Sequence, residues 1–153
     1  MFIEIIISKQ RMLLKDKVKL LSFYPISTSK YGIGSKSGSN KTPLGLHKIV
    51  SKIGRNAPLG TIFNRRRNTG KIAKAHGIKD LITTRILRLA GLEKGKNKGK
   101  GIDSFGRYIY IHGTPEENLI GKLASHGCIR MKNRDIVKLF NLVKRNTLVT
   151  INK

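Results

Sequence analysis

The residues best suited to covalent chemistry are concentrated in the C-terminal third of the chain. An apolar run ends in His112-Gly113-Thr114, and Ser125-His126-Gly127-Cys128-Ile129-Arg130 follows it. Cys128 is the single cysteine of the chain. A thiol is mostly protonated at neutral pH, so a nucleophilic cysteine needs a nearby base or cation that favours the thiolate. The two segments supply a thiol and two histidines, which is typical of thiol-dependent acyl transfer.

Both histidines are candidates for the base that activates the thiol. His126 is only two residues before Cys128, and in most backbones this spacing places the ring poorly for exchanging a proton with the thiol. His112 can approach from an adjacent strand, so we expect His112 to be the base and His126 to be structural. No acidic residue lies at a compelling position to orient His112, so a backbone carbonyl, that of Gly113, is expected to take this role.

A glycine immediately before the cysteine indicates a tight turn. Gly127 lets the backbone turn sharply, and the amides of Gly127 and Cys128 are then expected to be free to stabilise a tetrahedral oxyanion. Gly113 is the other backbone candidate of the site. The hydroxyl of Ser125 is expected to fix the turn locally. The site is therefore predicted to depend on backbone groups as well as side chains.

The same residues allow two other interpretations. A lone cysteine near a histidine is often a small buried hydrophobic residue beside a polar turn. His112, His126 and Cys128 could also bind a metal ion such as zinc, although zinc ligands are usually paired at tighter spacing. Residue types alone leave catalysis, packing and metal binding open.

The hydrophobic pattern predicts a mostly β domain that positions these residues. Residues 2–7 and 12–21 are predicted to form a hairpin. Phe23–Ser27 either extends the second strand or begins a third. Tyr108–Ile111 is a compact strand signal that leads into the first histidine segment, and Leu148–Ile151 supplies a closing strand.

Short helices are predicted beside the strands. Asn133–Val143 carries apolar residues on one face at helical spacing. A second helix is expected from about Leu81 to Ala90, where apolar residues also recur at helical spacing, with Asp80 as its cap and Gly91 at its end. Glu93–Gly101 alternates glycine with lysine and has no apolar residue to anchor it, so a mobile exposed loop is expected.

The chain has a large excess of positive charge. It contains 32 Lys and Arg against 8 Asp and Glu, a net charge of +24. Such a field concentrates polyanions near the surface, including nucleic acid, anionic envelope polymers and acidic lipid. Many basic residues fall in an insertion at about 64–104, which includes Arg65-Arg66-Arg67. The basic part of this insertion is either a solvated surface or a lid or polyanion contact.

Length and composition limit the organisation of the chain. Its 153 residues fit one domain, 1–153, with room for a core but not for a second folded domain. No apolar run approaches the roughly 18 residues of a membrane span, so no transmembrane segment is expected. Glu4 interrupts the N-terminal apolar run and no small-residue cleavage site follows, so no export signal is visible in the sequence.

The catalytic motif resembles that of a known family. Ser125-His126-Gly127-Cys128-Ile129-Arg130 with His112 upstream is similar to the signature of the L,D-transpeptidase catalytic domain. The resemblance continues, in the manner of its proteobacterial branch, at Tyr24-Pro25-Ile26-Ser27-Thr28, Lys41-Thr42-Pro43-Leu44-Gly45-Leu46-His47, Ala57-Pro58-Leu59-Gly60 and Tyr108-Ile109-Tyr110-Ile111-His112-Gly113-Thr114-Pro115-Glu116-Glu117. It covers roughly Phe23 to the C-terminus.

This resemblance implies a β-sandwich or barrel-like fold with the cysteine and histidine at the mouth of a cleft. It implies that Cys128 attacks the third-residue carbonyl of a peptidoglycan tetrapeptide stem, releases D-Ala and passes the acyl group to an amine. The acceptor would be a neighbouring stem, giving a 3→3 crosslink, or an envelope protein; water would make the enzyme an L,D-carboxypeptidase. Arg130 matches the family's Cys-x-Arg and would bind a substrate carboxylate, brace the loop or form a structural salt bridge.

The implied setting is the cell envelope or periplasm, with peptidoglycan stem peptides as partners and envelope proteins or anionic envelope polymers as further candidates. No cofactor, metal ion or nucleic acid is expected, and a carbapenem should act as a trapped acyl donor. A competing function of another class is a small basic protein that binds nucleic acid or another polyanion. That function would not need His112 or Cys128.

Overall fold

The computed structural model describes residues 1–74 and 80–153 and is dominated by β-strands. In these residues a single α-helix, α1 (Asn133–Leu142), accompanies the sheet, with 3-10 turns at Ile7–Lys9 and Glu117–Leu119. The strands are β1 (Phe2–Ile6), β2 (Arg11–Asp16), β3 (Lys19–Ser27), β4 (Gly45–Ile53), β5 (Thr61–Asn64), β6 (Arg67–Ile72), β7 (Ile82–Gly91), β8 (Tyr110–Gly113), β9 (Ile129–Met131) and β10 (Leu148–Asn152).

The strands form one sheet that closes on itself. Their order is β4-β10-β1-β2-β3-β9-β8-β7-β5-β6, and a further pairing between β4 and β7 closes the ring. The β5–β6 hairpin extends beyond the point of closure. Two of the pairings, β1 with β10 and β8 with β9, are parallel. The expected mostly β, barrel-like fold is confirmed.

The core lies inside the ring and is closed on one side by α1. Ile3 and Ile5 of β1 are fully buried, whereas Glu4 between them faces outward, the period-two pattern of a strand with one solvated face. The helix buries Leu139 and Phe140 in the same cluster. The prediction of a helix from Asn133 is confirmed, because its apolar residues recur at the spacing that places them on one face.

The helix expected from about Leu81 to Ala90 is wrong, because this segment is the long strand β7. β7 pairs with β4, β5 and β8. It is buried on both faces: Leu87 and Leu89 lie in the main core and Ile86 in a second cluster with Phe63 and Tyr110. A strand buried on both faces has no polar alternation, so its apolar residues also fit helical spacing.

Two predicted strands also have different limits. Residues 12–21 do not form one strand, because the chain reverses after Asp16 and Lys17 has a positive φ of 54°. The second half continues as β3 and includes Phe23–Ser27. Near the site, the strand expected from Tyr108 begins at Tyr110. Tyr108 has a φ of 56° and is exposed, so it does not belong to the strand.

The Glu93–Gly101 loop is anchored, in contrast to the mobile loop that we expected. The side chain of Asn97 is fully buried and donates to the carbonyls of Leu44 (3.0 Å) and Leu46 (3.1 Å). Its Oδ1 accepts the N–H of Glu93, and Glu93 in turn accepts the N–H of Leu46. The anchor is polar, which a search for apolar residues could not detect.

The basic segment after β5 is partly a hairpin with exposed residues on β6. His76, for which the sequence predicts a surface position, lies outside the described residues. Among the described residues, no helix is long and apolar enough to cross a membrane.

Asn97→Ala should lower the free energy of unfolding by about 1–3 kcal/mol, because it removes three hydrogen bonds of a fully buried side chain and leaves the Glu93 N–H without this acceptor. Urea denaturation monitored by circular dichroism measures this change. Lys98→Ala, at an exposed neighbouring position, is the matched control and should stay within about 0.5 kcal/mol of wild type. Equal stability of the two variants would show that Asn97 does not anchor the loop.

Candidate active site

Parallel pairing of β8 with β9 assembles the predicted catalytic residues. Ile111 is paired with Ile129 and His112 with Arg130, and Cys128 directly precedes β9. The thiol and His112 line one cavity of about 90 Å³. The residues around this cavity are Asp80, Ile82, His112, Ser125, His126 and Cys128. The structure thus brings together side chains that are far apart in sequence.

The turn before the cysteine needs glycine. Gly127 has a φ of +122°, and a Cβ at this position would lie 3.2 Å from the carbonyl oxygen of Lys41. The hydroxyl of Thr42 donates to the Gly127 carbonyl at 3.0 Å. Ser125 Oγ donates to the Cys128 carbonyl at 2.6 Å. Ser125 therefore lies where it can fix the turn.

The backbone donors of the site differ from the expectation in one respect. The Gly127 N–H donates to Ser125 Oγ at 3.2 Å, so this amide is not free. Among the described residues, the Cys128 N–H has no hydrogen-bond partner, which leaves it available to an oxyanion. Gly113 belongs to β8 and contributes its carbonyl oxygen to the site, where it contacts His112.

The Cys128 thiol is held between two backbone groups, one in the first residue of β8 and one two residues before it. Its Sγ accepts the N–H of Tyr110 at 3.3 Å and donates to the carbonyl of Tyr108 at 3.4 Å. Burial raises the pKa of the thiol to about 11, and the charge of Asp80 acts in the same direction. The Tyr110 N–H and the charges of Arg130 and Arg107 oppose this shift. The Cys128 thiol is therefore neutral at neutral pH in the absence of substrate.

The His112 ring is 2% exposed and also neutral. Burial lowers its pKa to about 4, and the positive charge of Arg130 adds to this effect. Nδ1 lies 2.6 Å from the carbonyl oxygen of Gly113. Because a carbonyl oxygen only accepts, Nδ1 carries the proton and Nε2 has the lone pair. Gly113 thus holds His112 in the tautomer that can accept a proton at Nε2.

An acidic residue that sequence reasoning assigned to a helix cap lies in the site. Asp80 bonds to Arg130 through Oδ1 and to His126 Nδ1 through Oδ2, the latter at 2.7 Å. Burial would raise the pKa of Asp80, but the hydrogen bond and charge of Arg130, with smaller contributions from both histidines, bring it below its usual range. In the sequence, Asp80 is an acidic residue with basic neighbours. This contrast could have marked it as a candidate site residue.

Arg130 is 2% exposed and fixed by acidic side chains. Besides Asp80 it lies 3.5 Å from Glu116, measured between Nη1 and Oε1. Of the expected roles, the contacts match the structural salt bridge that braces the loop. His126 contacts Asp80 and lies against the ring of Tyr31, with 5.9 Å between ring centroids. These contacts are those of a supporting residue.

A second cavity of about 270 Å³ lies on another side of Cys128 and contains Arg107. Arg107 donates to the carbonyls of Lys41 (2.6 Å) and Gly34 (3.3 Å). The guanidinium is thereby held near the thiol, where its charge favours the thiolate. No local pattern marks Arg107 in the sequence, because its position depends on contacts with a distant loop.

The metal-site interpretation is not supported by the geometry. His112, His126 and Cys128 line one cavity. Within residues 1–74 and 80–153, however, there is no group of three or more His, Cys, Asp or Glu side chains arranged to hold a metal ion.

The rate of Cys128 alkylation by iodoacetamide should rise about tenfold per pH unit from pH 7 to pH 9.5, because the thiolate fraction grows in this way below a pKa of about 11. Intact-protein mass spectrometry gives the rate, since the chain has one cysteine. A cysteine-containing peptide is the reference and should level off near its ordinary pKa of roughly 8.5. A plateau for the protein below pH 9 would contradict a neutral resting thiol.

Comparison with known proteins gives the family. A family model described as YkuD, the L,D-transpeptidase catalytic domain, matches residues 1–151. The YkuD protein of Bacillus subtilis is 51% identical over 43 residues, which are 28% of this chain and 26% of that protein. The chain therefore spans, in this match, about a quarter of that relative.

Solved structures show the same fold. An L,D-transpeptidase from Mycobacterium smegmatis matches with a TM-score of 0.58 and 15% identity, covering 99% of this chain and 58% of that one. L,D-transpeptidase 3 from Mycobacterium tuberculosis, solved with a faropenem-derived adduct, matches with a TM-score of 0.58 and 16% identity, covering 99% and 60%. Together with the family match over nearly the whole chain, the closed sheet and its cysteine site show that this chain belongs to the L,D-transpeptidase catalytic-domain family.

Proposed function

We propose that the domain is a cysteine-dependent L,D-transpeptidase that acts on peptidoglycan stem peptides. The observation that carries the proposal is the placement of Cys128 and His112 around one cavity, with His112 held by Gly113 in the tautomer of a base. Family membership supports the reaction class. The substrate would be a tetrapeptide stem, attacked at the carbonyl of its third residue, a diamino acid.

In the first step Sγ forms a bond to that carbonyl carbon while His112 Nε2 takes the thiol proton. The carbonyl oxygen becomes an oxyanion, towards which the free N–H of Cys128 donates. When the tetrahedral intermediate collapses, the C–N bond to D-Ala breaks and His112 returns the proton to the leaving amine. A thioester between Cys128 and the stem remains.

In the second step an amine attacks the thioester and His112 takes one of its protons. The C–S bond breaks, the amide forms, and the proton returns to Sγ. An amine of a neighbouring stem gives a 3→3 crosslink, and a lysine of an envelope protein gives attachment of that protein. Water as the acceptor would make the domain an L,D-carboxypeptidase.

The two pKa values support transfer of the proton during the attack rather than before it. A thiol with a pKa of about 11 does not give its proton to an imidazole with a pKa of about 4 in the resting site. As the S–C bond forms, the sulfur loses its affinity for the proton and the transfer becomes favourable. The charges of Arg107 and Arg130 favour the negative sulfur along this path.

The net charge of +24 supports an anionic setting for this reaction. Peptidoglycan stems carry carboxylates, and a strongly positive protein would accumulate on a wall rich in such groups. This charge supports our proposal that the activity takes place in the cell envelope. Electrostatic accumulation of this kind weakens as salt screens the charges.

Exposure to a carbapenem should add one covalent adduct to the wild-type protein and none to Cys128→Ala. The β-lactam carbonyl stands in for the scissile carbonyl, and ring opening leaves the acyl group on Sγ. Intact-protein mass spectrometry detects the added mass. An unmodified wild-type protein, or an undiminished adduct on Cys128→Ala, would contradict the proposed transpeptidase activity. Either result would favour a polyanion-binding protein.

His112→Ala should slow acylation of Cys128 by about 10²- to 10⁴-fold, the range for loss of a general base. Adduct formation with the same carbapenem, sampled over time, measures the rate. His126→Ala is the matched control, since it removes the other histidine of the cavity, and it should have a much smaller effect. Thermal melting checks that both variants are folded. Near-wild-type acylation by His112→Ala would transfer the role of base to His126.

A further inference from the structure

The turn between β5 and β6 contains two arginines in an unfavourable backbone conformation. Arg65 has a φ of 48° and Arg66 a φ of 66°, in the left-handed region that residues with a Cβ rarely adopt. Hairpin turns of this kind favour asparagine and glycine at both positions. Backbone preference therefore does not explain arginines at both positions.

The Arg66 side chain points back towards the candidate active site. Its Nη1 donates to the Tyr110 hydroxyl at 3.0 Å, and its guanidinium carbon lies 5.3 Å from the centroid of the Tyr108 ring. Arg88 lies 5.2 Å from the same ring on the neighbouring strand β7. The two tyrosines therefore hold the Arg66 guanidinium in a defined position beside a second cation.

These residues surround a cavity that adjoins the thiol. Its volume is about 560 Å³, and it is lined by Arg65, Arg66, Ile82, Tyr108 and Tyr110. Ile82 also lines the cavity with Cys128 and His112. Tyr110 donates its backbone N–H to Cys128 Sγ, and the Tyr108 carbonyl accepts from it. A molecule bound against Arg66 would therefore extend from the reacting sulfur.

The cavity is positively charged without a compensating acid. No Asp or Glu lines it, and within the described residues neither Arg65 nor Arg66 forms a salt bridge. Arg66 uses one N–H on the Tyr110 hydroxyl, and the guanidinium has five. The remaining donors can bind a planar anion in a bidentate manner, which is the geometry that a carboxylate offers.

We propose that Arg66, assisted by Arg65, forms a subsite that binds a carboxylate of the stem peptide while its scissile carbonyl lies at Cys128. The inference rests on the proposed function, because it takes the substrate to be a peptidoglycan stem. The subsite favours stems with a free carboxylate over stems in which that carboxylate is a carboxamide. It gives the basic hairpin a role in substrate selection.

The binding test uses Cys128→Ala as the background, so that no turnover occurs. Calorimetry measures the dissociation constant of a synthetic tetrapeptide stem and of derivatives in which each carboxylate in turn is a carboxamide. We expect one amidation to weaken binding about tenfold, the contribution of a charge-assisted hydrogen bond. Arg66→Gln in the same background should weaken binding of the parent peptide by a similar factor and abolish the effect of that amidation.

Two control variants separate carboxylate binding from a structural effect. Arg67→Gln, at an exposed position of the same hairpin, should bind like the background protein. Arg66→Lys keeps the charge but loses the bidentate geometry, and it should restore part of the affinity. If Arg66→Gln weakens all peptides equally, or none, the subsite is wrong.

The failure of this proposal and that of the proposed function are distinguishable. Wild-type protein is incubated with the parent peptide, and release of D-Ala is measured separately. Release of D-Ala without Arg66-dependent discrimination overturns the subsite alone. Absence of both D-Ala release and peptide binding overturns the transfer reaction and the subsite with it.

Discussion

The parallel pairing of β8 with β9 is the constraint on which the site depends. Only this register places Arg130 beside His112 and leaves Cys128 at the start of β9, opposite the segment that enters β8. Parallel pairing requires a long connection, and here that connection carries Glu116 and Ser125 into the site. β8 lies between β9 and β7 in the sheet, so His112 has a strand on each side and its ring is buried. The arrangement of the candidate site thus depends on strand order and not on the motif alone.

Burial has a second effect, which is to keep both reacting groups uncharged. A buried charge without a partner is costly, so the thiol and the imidazole lie in their neutral forms. Of the charges near the thiol, those of Asp80 and Arg130 are paired with each other, whereas Arg107 donates to backbone carbonyls and keeps its charge. In the proposed reaction, negative charge on the sulfur develops only when a substrate supplies the carbonyl carbon for the attack.

The sequence predicted the parts of the site that local pattern encodes. The proximity of His112 to Cys128 and the contact of His112 with the Gly113 carbonyl could be inferred from spacing and residue chemistry, and the start of the helix at Asn133 was also predicted correctly. The role of His112 as the base stays a prediction. The failures have one physical cause, which is that tertiary contacts decided the outcome. β7 pairs with strands on both sides and therefore lacks the alternation of polar and apolar residues by which a strand is recognised. Asn97 anchors its loop through polar contacts, which a search for hydrophobic residues does not detect.

The same reasoning explains how a chain with 32 basic and 8 acidic residues accommodates its cations. Several of these cations contact groups that carry no charge. Arg107 and Lys52 donate hydrogen bonds to backbone carbonyls. Arg66 and Arg88 lie over aromatic rings. A carbonyl or a ring orients a cation without cancelling its charge. The fold thus holds guanidinium groups in fixed positions around Cys128 and leaves their field intact. Because acids near the thiol are few and already paired with Arg130 or His126, an incoming carboxylate meets ordered positive charge rather than a neutral surface.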